Sequence, residues 1–194
     1  MALTHWSRRD FAVRMAAICA GLSTSDWAFG DTDQPGATGP AVNDGLSHTS
    51  EAIHQEVRFN ASRKRLYQAL TDTQQFDQVT RLSAAWKVVG VPGASPTRIS
   101  RHAGGTFSLF GGHITGRQIE LLDDQRIVQA WRELSWSPGD YSIARFVLAA
   151  EGSGTRLIFD HRGFPEGAGG HLAAGWYANY WEPLATYLSR DGRG

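Results

Sequence analysis

HLAAGWYANYWEPLATYL, residues 171–188, is the longest helical pattern in this chain, and it decides the reading of everything before it. Trp176, Tyr180, Leu184 and Leu188 recur every fourth residue, with Tyr177, Trp181 and Tyr187 alongside. A helix carrying so broad an aromatic stripe must bury it on another layer of structure. Pro183 lies inside the pattern and removes a backbone donor, which predicts a kink near residues 179–182.

The layer it packs on is read upstream. Ala52 to Phe59 alternates, with Ile53, Gln55, Val57 and Phe59 on one face and His54, Glu56 and Arg58 on the other, the pattern of a half-buried strand. Asn60-Ala61-Ser62 offers a helix cap, and Leu66, Ala69 and Leu70 give a short amphipathic helix over residues 63–70. Asp72 or Thr73 caps a second short helix through Phe76 and Val79. From Ala84 onward the reading is strand: Trp86-Lys87-Val88-Val89, Thr97 to Ser100, Gly104 to Phe110, Ile114 to Leu122, Arg126 to Glu133, Ser142 to Ala150 and Thr155 to His161. Turn signals separate the later ones, at Asp123-Asp124, Ser137-Pro138-Gly139-Asp140 and Glu151-Gly152-Ser153-Gly154. Short strands with no helical pattern between them form an antiparallel meander. The class is therefore α+β, a curved antiparallel sheet of six to seven strands closed over the C-terminal helix, with two short helices after the first strand.

The first fifty residues read differently. Ser7-Arg8-Arg9-Asp10-Phe11 precedes a modest apolar run to Leu22, and Ala28-Phe29-Gly30 is a small-x-small site. This resembles a twin-arginine export signal over residues 1–30 and implies a periplasmic protein, or a cytoplasmic one if the leader does not function. The run is too short to span a bilayer. Residues 31–50 are Gly, Pro, Ala, Thr, Asp and Ser with almost no large apolar side chain, a flexible linker, and residues 51–190 form the folded domain.

Composition narrows the function. The chain of 194 residues has 19 basic and 19 acidic side chains. Removing the three arginines and two aspartates of the first thirty residues leaves 16 against 17, so nothing points to nucleic acid. Cys19 is the single cysteine, which excludes a disulfide, a thiolate metal site or a cysteine nucleophile downstream. No Ser-His-Asp elbow, phosphate loop, dinucleotide fingerprint or paired-carboxylate motif occurs, and no cofactor is expected.

Gly104-Gly105-Thr106-Phe107, Arg126-Ile127-Val128-Gln129-Ala130-Trp131, Gly154 to His161 and Gly175-Trp176 stand in an order that resembles the START-like (SRPBCC) helix-grip superfamily. More closely, they are similar to the group of the C-terminal domain of the activator of the Hsp90 ATPase. One departure is Phe76-Asp77-Gln78, where that group often has Trp. The resemblance implies a cavity between sheet and helix for an apolar or amphipathic small molecule. The aromatic candidates for its wall are Trp86, Phe107, Trp131, Phe159, Trp176 and Tyr180, which equally suit a filled core. Polar candidates are His113, His161 and Arg117, with Tyr141 near the rim; His161 shares the face of Leu157 and Phe159. His102, His113 and His161 have no local metal-ligand spacing, so no metal is expected. Asp160 and Glu133 are expected to face solvent.

Three functions follow. The first is a non-catalytic carrier or sensor of a small hydrophobic molecule outside the cytoplasm, with no catalytic residue and no identified protein partner. The second is a cavity enzyme of cyclase, dehydratase or hydrolase type using His113 or His161 as acid and base. The third is a co-chaperone, implied by the family resemblance and at odds with an export signal.

Overall fold

The computed structural model of the protein describes residues 51–89 and 95–191; the expected leader and linker lie outside the described residues. Strand β1 (Ala52–Phe59) is followed by helices α1 (Arg63–Thr71), α2 (Thr73–Thr80) and α3 (Ala84–Val89). Strands β2 (Arg98–Ile99), β3 (Thr106–Leu109), β4 (Ile114–Leu122), β5 (Arg126–Glu133), β6 (Ser142–Glu151) and β7 (Gly154–Arg162) come next. The C-terminal helix runs as α4 (Gly169–Trp176), a π-helical turn (Tyr177–Trp181) and α5 (Glu182–Asp191). Ser62 Oγ accepts from Arg65 N at the start of α1, and Asp72 Oδ1 accepts from Gln74 N and Gln75 N at the start of α2. Both caps satisfy backbone donors that a helix leaves unpaired. Among the described residues no helix is long and apolar enough to cross a membrane.

One seven-stranded antiparallel sheet has the order β1-β7-β6-β5-β4-β3-β2. Strict alternation sends one face inward: Ile53, Gln55 and Phe59 from β1, Ile127, Gln129, Trp131 and Glu133 from β5, and Leu157, Phe159 and His161 from β7. The outer face carries ion pairs instead, Arg58 with Glu151, Arg156 with Glu56, and Asp160 with His54 and Arg145. The C-terminal helix seats its aromatic stripe on the inner face, where Trp176, Tyr180, Trp181, Leu184, Tyr187 and Leu188 are all buried.

The irregularity expected from Pro183 is present and takes a specific form. Glu182 N–H bonds to Tyr177 O five residues back, the signature of a π turn. A proline at 183 has no N–H for the Asn179 carbonyl, and its ring crowds that carbonyl, so the preceding turn widens. The resulting turn buries Tyr180 and Trp181 together although they are consecutive in the chain.

One element departs from the sequence reading. Residues 86–89, expected as strand, belong to helix α3, so three short helices follow β1 and not two. Ser83 Oγ accepts from Trp86 N, and Asn179 Oδ1 of the C-terminal helix accepts from Ala85 N. These two tertiary and capping bonds outweigh the strand preference of Val88-Val89.

Phe107 of β3 lies opposite Gly116 of β4, which in turn lies opposite Trp131 of β5. The Phe107 ring covers the glycine: a Cβ there would lie 2.0 Å from the Ala130 carbonyl oxygen and 2.4 Å from Phe107 Cζ. Neither neighbour can retreat without disturbing the ladder or the core. Gly116→Ala should therefore lower unfolding free energy by about 3 kcal/mol in urea titration; an unchanged midpoint would show that the strands separate freely at this point.

Candidate functional site

The inner face is mostly filled. Trp176 packs on Phe159 at 4.3 Å between ring centroids, on Tyr180 at 4.2 Å, and stacks on Trp181 at 5.5 Å, with Phe146 and Trp131 completing the cluster. A cavity of about 40 Å³ remains, within a recess of about 440 Å³ counting the part open to solvent. Phe110, Ile114, Trp131, Leu172, Trp176 and Tyr180 give it apolar walls, and His113, Glu133, His171 and Asn179 give it polar ones, with Ala85 and Gly175 between. A second void of about 10 Å³ lies among Leu70, Phe76, Phe107, Ile127 and Tyr180, too small for more than one water.

The polar wall is built by the turn between β3 and β4. Phe110, Gly111 and Gly112 all have positive φ, at 50°, 68° and 90°. This tight reversal tucks the Phe110 ring against Phe76 and Tyr180 and brings His113 over the end of β5. His113 O accepts from Leu134 N, and His113 Nε2 lies 3.0 Å from Glu133 Oε1, which also accepts from Ser135 Oγ. Glu133, expected to face solvent, is thus 8% exposed and paired. Burial pushes its carboxyl pKa up, but the hydrogen bond and charge of His113, the charge of His171 and the Ser135 hydroxyl outweigh this and hold it below its ordinary value. The carboxylate is ionised at neutral pH.

Two further polar atoms on the cavity residues are buried without a hydrogen-bond partner, Trp131 Nε1 and Tyr180 Oη. The indole N–H approaches the phenol oxygen without reaching hydrogen-bond geometry. Burial raises the Tyr180 pKa far above the usual phenol range, and the Trp131 dipole offsets only part of that. The phenol is therefore a neutral donor at any accessible pH.

His161 is inward, as its parity with Phe159 implies, but it does not reach the cavity. Trp176 Nε1 donates to His161 Nδ1 at 3.1 Å, so that nitrogen is the acceptor and Nε2 carries the proton. Nε2 lies 2.6 Å from Ser142 Oγ, and the Ser142 hydroxyl passes the chain on to the Trp131 carbonyl. Fully enclosed and with both nitrogens engaged, the imidazole is pushed down to a pKa of about 3 by burial. It is a neutral strut between helix and sheet and is unsuited to proton transfer near neutrality.

The other sequence candidates divide cleanly. His113, Trp131, Trp176 and Tyr180 border the cavity, Phe107 borders the smaller void, and Phe159 supports Trp176 from the sheet. Trp86 is half-buried on α3 beneath the Arg81 guanidinium, 5.8 Å from its ring, and lines neither space. Arg117 is exposed and bonds Gly104 O, while Tyr141 is exposed beside Arg132. His102 is exposed and bonded to Ser100, so the three histidines do not converge. Sequence reasoning missed Glu133, His171 and Asn179. For Glu133 the signal was present, since it lies two residues beyond inward-facing Trp131.

A histidine with a depressed folded-state pKa makes stability depend on pH in one direction. The unfolded chain takes up a proton below about pH 6.5 and the folded chain does not until about 3, so stability is complete above 6.5 and falls as pH falls. Between pH 6 and 5 the wild type should lose up to about 1.4 kcal/mol per pH unit relative to His161→Asn, measured by chemical denaturation. Parallel pH profiles for the two proteins would mean that His161 is protonated in the fold.

Comparison with known proteins fits this architecture. The profile of the family described as Activator of Hsp90 ATPase homolog 1-like protein matches residues 60–189. An uncharacterised protein of Schizosaccharomyces pombe is 30% identical over 115 residues, which are 59% of this chain and 30% of that protein. The activator of 90 kDa heat shock protein ATPase homolog 2 of Mus musculus is 22% identical over 144 residues, 74% of this chain and 40% of the relative. The chain thus spans well under half the length of these curated relatives. Among solved structures, an HSP90 activator from Plasmodium falciparum superposes with a TM-score of 0.57 at 25% identity, covering 72% of this chain and 96% of that one. CalU16 from Micromonospora echinospora gives a TM-score of 0.57 at 19% identity over 74% of this chain and 79% of its own, a likeness of fold. With the profile spanning strands β2 to β7, the cavity turn and nearly all of the C-terminal helix, the chain belongs to the Activator of Hsp90 ATPase homolog 1-like family.

Proposed function

We propose that the domain binds a small apolar or amphipathic molecule in the recess between the sheet and the C-terminal helix. The observation that carries this reading is the composition of the cavity wall: an aromatic lining closed at one side by the buried, ionised carboxylate of Glu133 with the His113 imidazole hydrogen-bonded to it. Binding pockets combine such apolar walls with a few fixed polar groups. A core under selection for stability alone gains nothing from keeping Glu133 beside an open space, because a buried charge is costly unless fully paired. His113, Trp131, Trp176 and Tyr180 are the residues that would touch the ligand, and Phe107, Phe159 and His161 hold them in place from behind. The enclosed volume suits the compact end of a ligand whose remainder lies in the open part of the recess. Carriage or sensing outranks catalysis in this reading, since His161 is locked in its neutral form and His113 is engaged with Glu133.

Gly175 borders the cavity, and a Cβ there would meet nothing closer than Asn179 Nδ2 at 4.0 Å. Gly175→Val therefore adds bulk at the recess without forcing the backbone to move. Native mass spectrometry of the purified chain should find a co-purifying small molecule in the wild type and at least a tenfold lower load in Gly175→Val at equal thermal stability. Equal loading of the two would place the ligand elsewhere.

A second reading is favoured by the 25% identity to the Plasmodium falciparum HSP90 activator over nearly all of that chain: action on an Hsp90-type ATPase. The two readings meet at the leader. We extend the first with export through the twin-arginine pair Arg8-Arg9, which would separate the protein from cytoplasmic chaperones. Fractionation should find a shortened periplasmic form of the wild type and a full-length cytoplasmic form of the variant with Lys at both positions. A cytoplasmic wild type that raises the ATPase rate of Hsp90 would establish the second reading instead.

A further inference from the structure

The protein engages only one of the two carboxylate oxygens of Glu133. Oε1 accepts from Ser135 Oγ at 3.1 Å and lies 3.0 Å from His113 Nε2. Oε2 takes no hydrogen bond among the described residues. Nor is it one of the polar atoms sealed in the interior without a partner, which are Trp131 Nε1, Arg132 Nε and Tyr180 Oη. It therefore keeps surface that another molecule can reach, in a side chain that is 11% exposed. The alternation of β5 turns Glu133 inward with Trp131 and sets it opposite Ile114 of β4, and all three residues border the cavity. The open acceptor thus belongs to the recess.

Charge adds to what the open position asks for. The carboxylate is ionised at neutral pH and stands among apolar walls, where an anion gains most from a cation brought beside it. The rings of Phe110, Trp131, Trp176 and Tyr180 border the same space, and aromatic faces attract cations. A cation that carries N–H donors fits both features. A metal ion does not, because among the described residues no three His, Cys, Asp or Glu side chains are grouped to hold one. Resting on the ligand-binding reading above, we propose that the recess takes protonated amines with an apolar body, the ammonium donating to Glu133 Oε2 beside the aromatic rings. The same corner disfavours fatty acids and other carboxylates, which would set a second anion against Glu133. A neutral alcohol can donate to Oε2 but brings no charge to it, and hydrogen bonds between ionised groups are the stronger kind.

The test compares n-hexylamine, 1-hexanol and hexanoate, which share one chain and differ in the charge of the head. Each is titrated into the full-length protein at about pH 8, where an alkylammonium is charged and an ordinary imidazole is not. Binding is followed by NMR through the indole N–H resonances and the side-chain carboxyl carbon of Glu133. The expected result is binding of hexylamine roughly tenfold or more tighter than of hexanol, with hexanoate weakest, and a shift of the Glu133 carboxyl carbon that is largest with the amine. Glu133→Gln keeps the shape of the side chain and should abolish the preference for the amine while hexanol still binds. If that variant fails to fold, the carboxyl resonance of the wild type decides by itself. Equal binding of amine and alcohol, tighter binding of hexanoate, an unmoved Glu133 resonance, or a preference that survives Glu133→Gln overturns the amine assignment and leaves the recess as a binding site. Binding of none of the three overturns the assignment together with the reading it rests on.

Discussion

The Trp176 indole holds the domain together, because it belongs to the helix layer and the sheet layer at once. Its ring lies on Phe159 of β7, and its N–H ends on His161 two residues further along the same strand. Dispersion and area burial fix how far the helix sits from the sheet, and the hydrogen bond fixes its rotation and its position along β7. Gln55 repeats the device at the edge strand, accepting from Trp181 Nε1 and donating to the Ala173 carbonyl. Asn179 does so toward α3. Apolar contact alone would leave the helix free to slide, since one greasy surface is much like another. Polar latches at three places along it remove that freedom.

The location of the cavity is a consequence of this seating. Beneath Trp176 and Trp181 the rings of Phe146 and Phe159 fill the layer, and little room is left. At the other side of Trp176 stands the β3–β4 turn, whose three left-handed residues set the Phe110 ring against Tyr180 of the helix. The cavity lies among these elements, where side chains of different origin meet: Glu133 from the end of β5, His113 from the turn, Tyr180 from the π turn. Fold and site are thus one geometric problem, with the packed half of the layer determining how wide the other half stands.

Much of the architecture was legible in the sequence because it follows from alternation and turn chemistry. The alternating face of β1, the Gly and Asp turns of the meander and the aromatic stripe after Gly170 each correspond to an observed element. The site was less legible. His113, Trp131, Trp176 and Tyr180 fell among the candidates on residue type, yet type could not separate them from Phe159, which only supports, or from Trp86, which lies under Arg81. Whether an aromatic side chain fills space or borders it depends on what faces it across the layer, and no local pattern encodes that. Glu133 is the instructive miss. Its charge argued for solvent while its two-residue spacing from Trp131 argued for the interior, and the spacing prevailed because His113 and Ser135 supply the partners that make a buried carboxylate tolerable. Residues 86–89 erred in the opposite sense, a local β preference overruled by a cap and a contact from distant Asn179.

The π turn at Tyr177–Trp181 amounts to one residue more than an α-helix of the same rise would hold. The surplus is absorbed within the turn, so the α-helical segments before and after it keep their faces, with Trp176 on one side and Leu184 and Leu188 on the other all turned to the core. Remove one residue from that turn and it closes to an ordinary α-helical turn of the same rise, with Leu184 and Leu188 still inward. What is lost is the widened loop that lets two consecutive side chains, Tyr180 and Trp181, both turn inward and that spares the carbonyl before Pro183 from its ring. The extra residue thus widens the aromatic wall without disturbing the register of the helix that carries it.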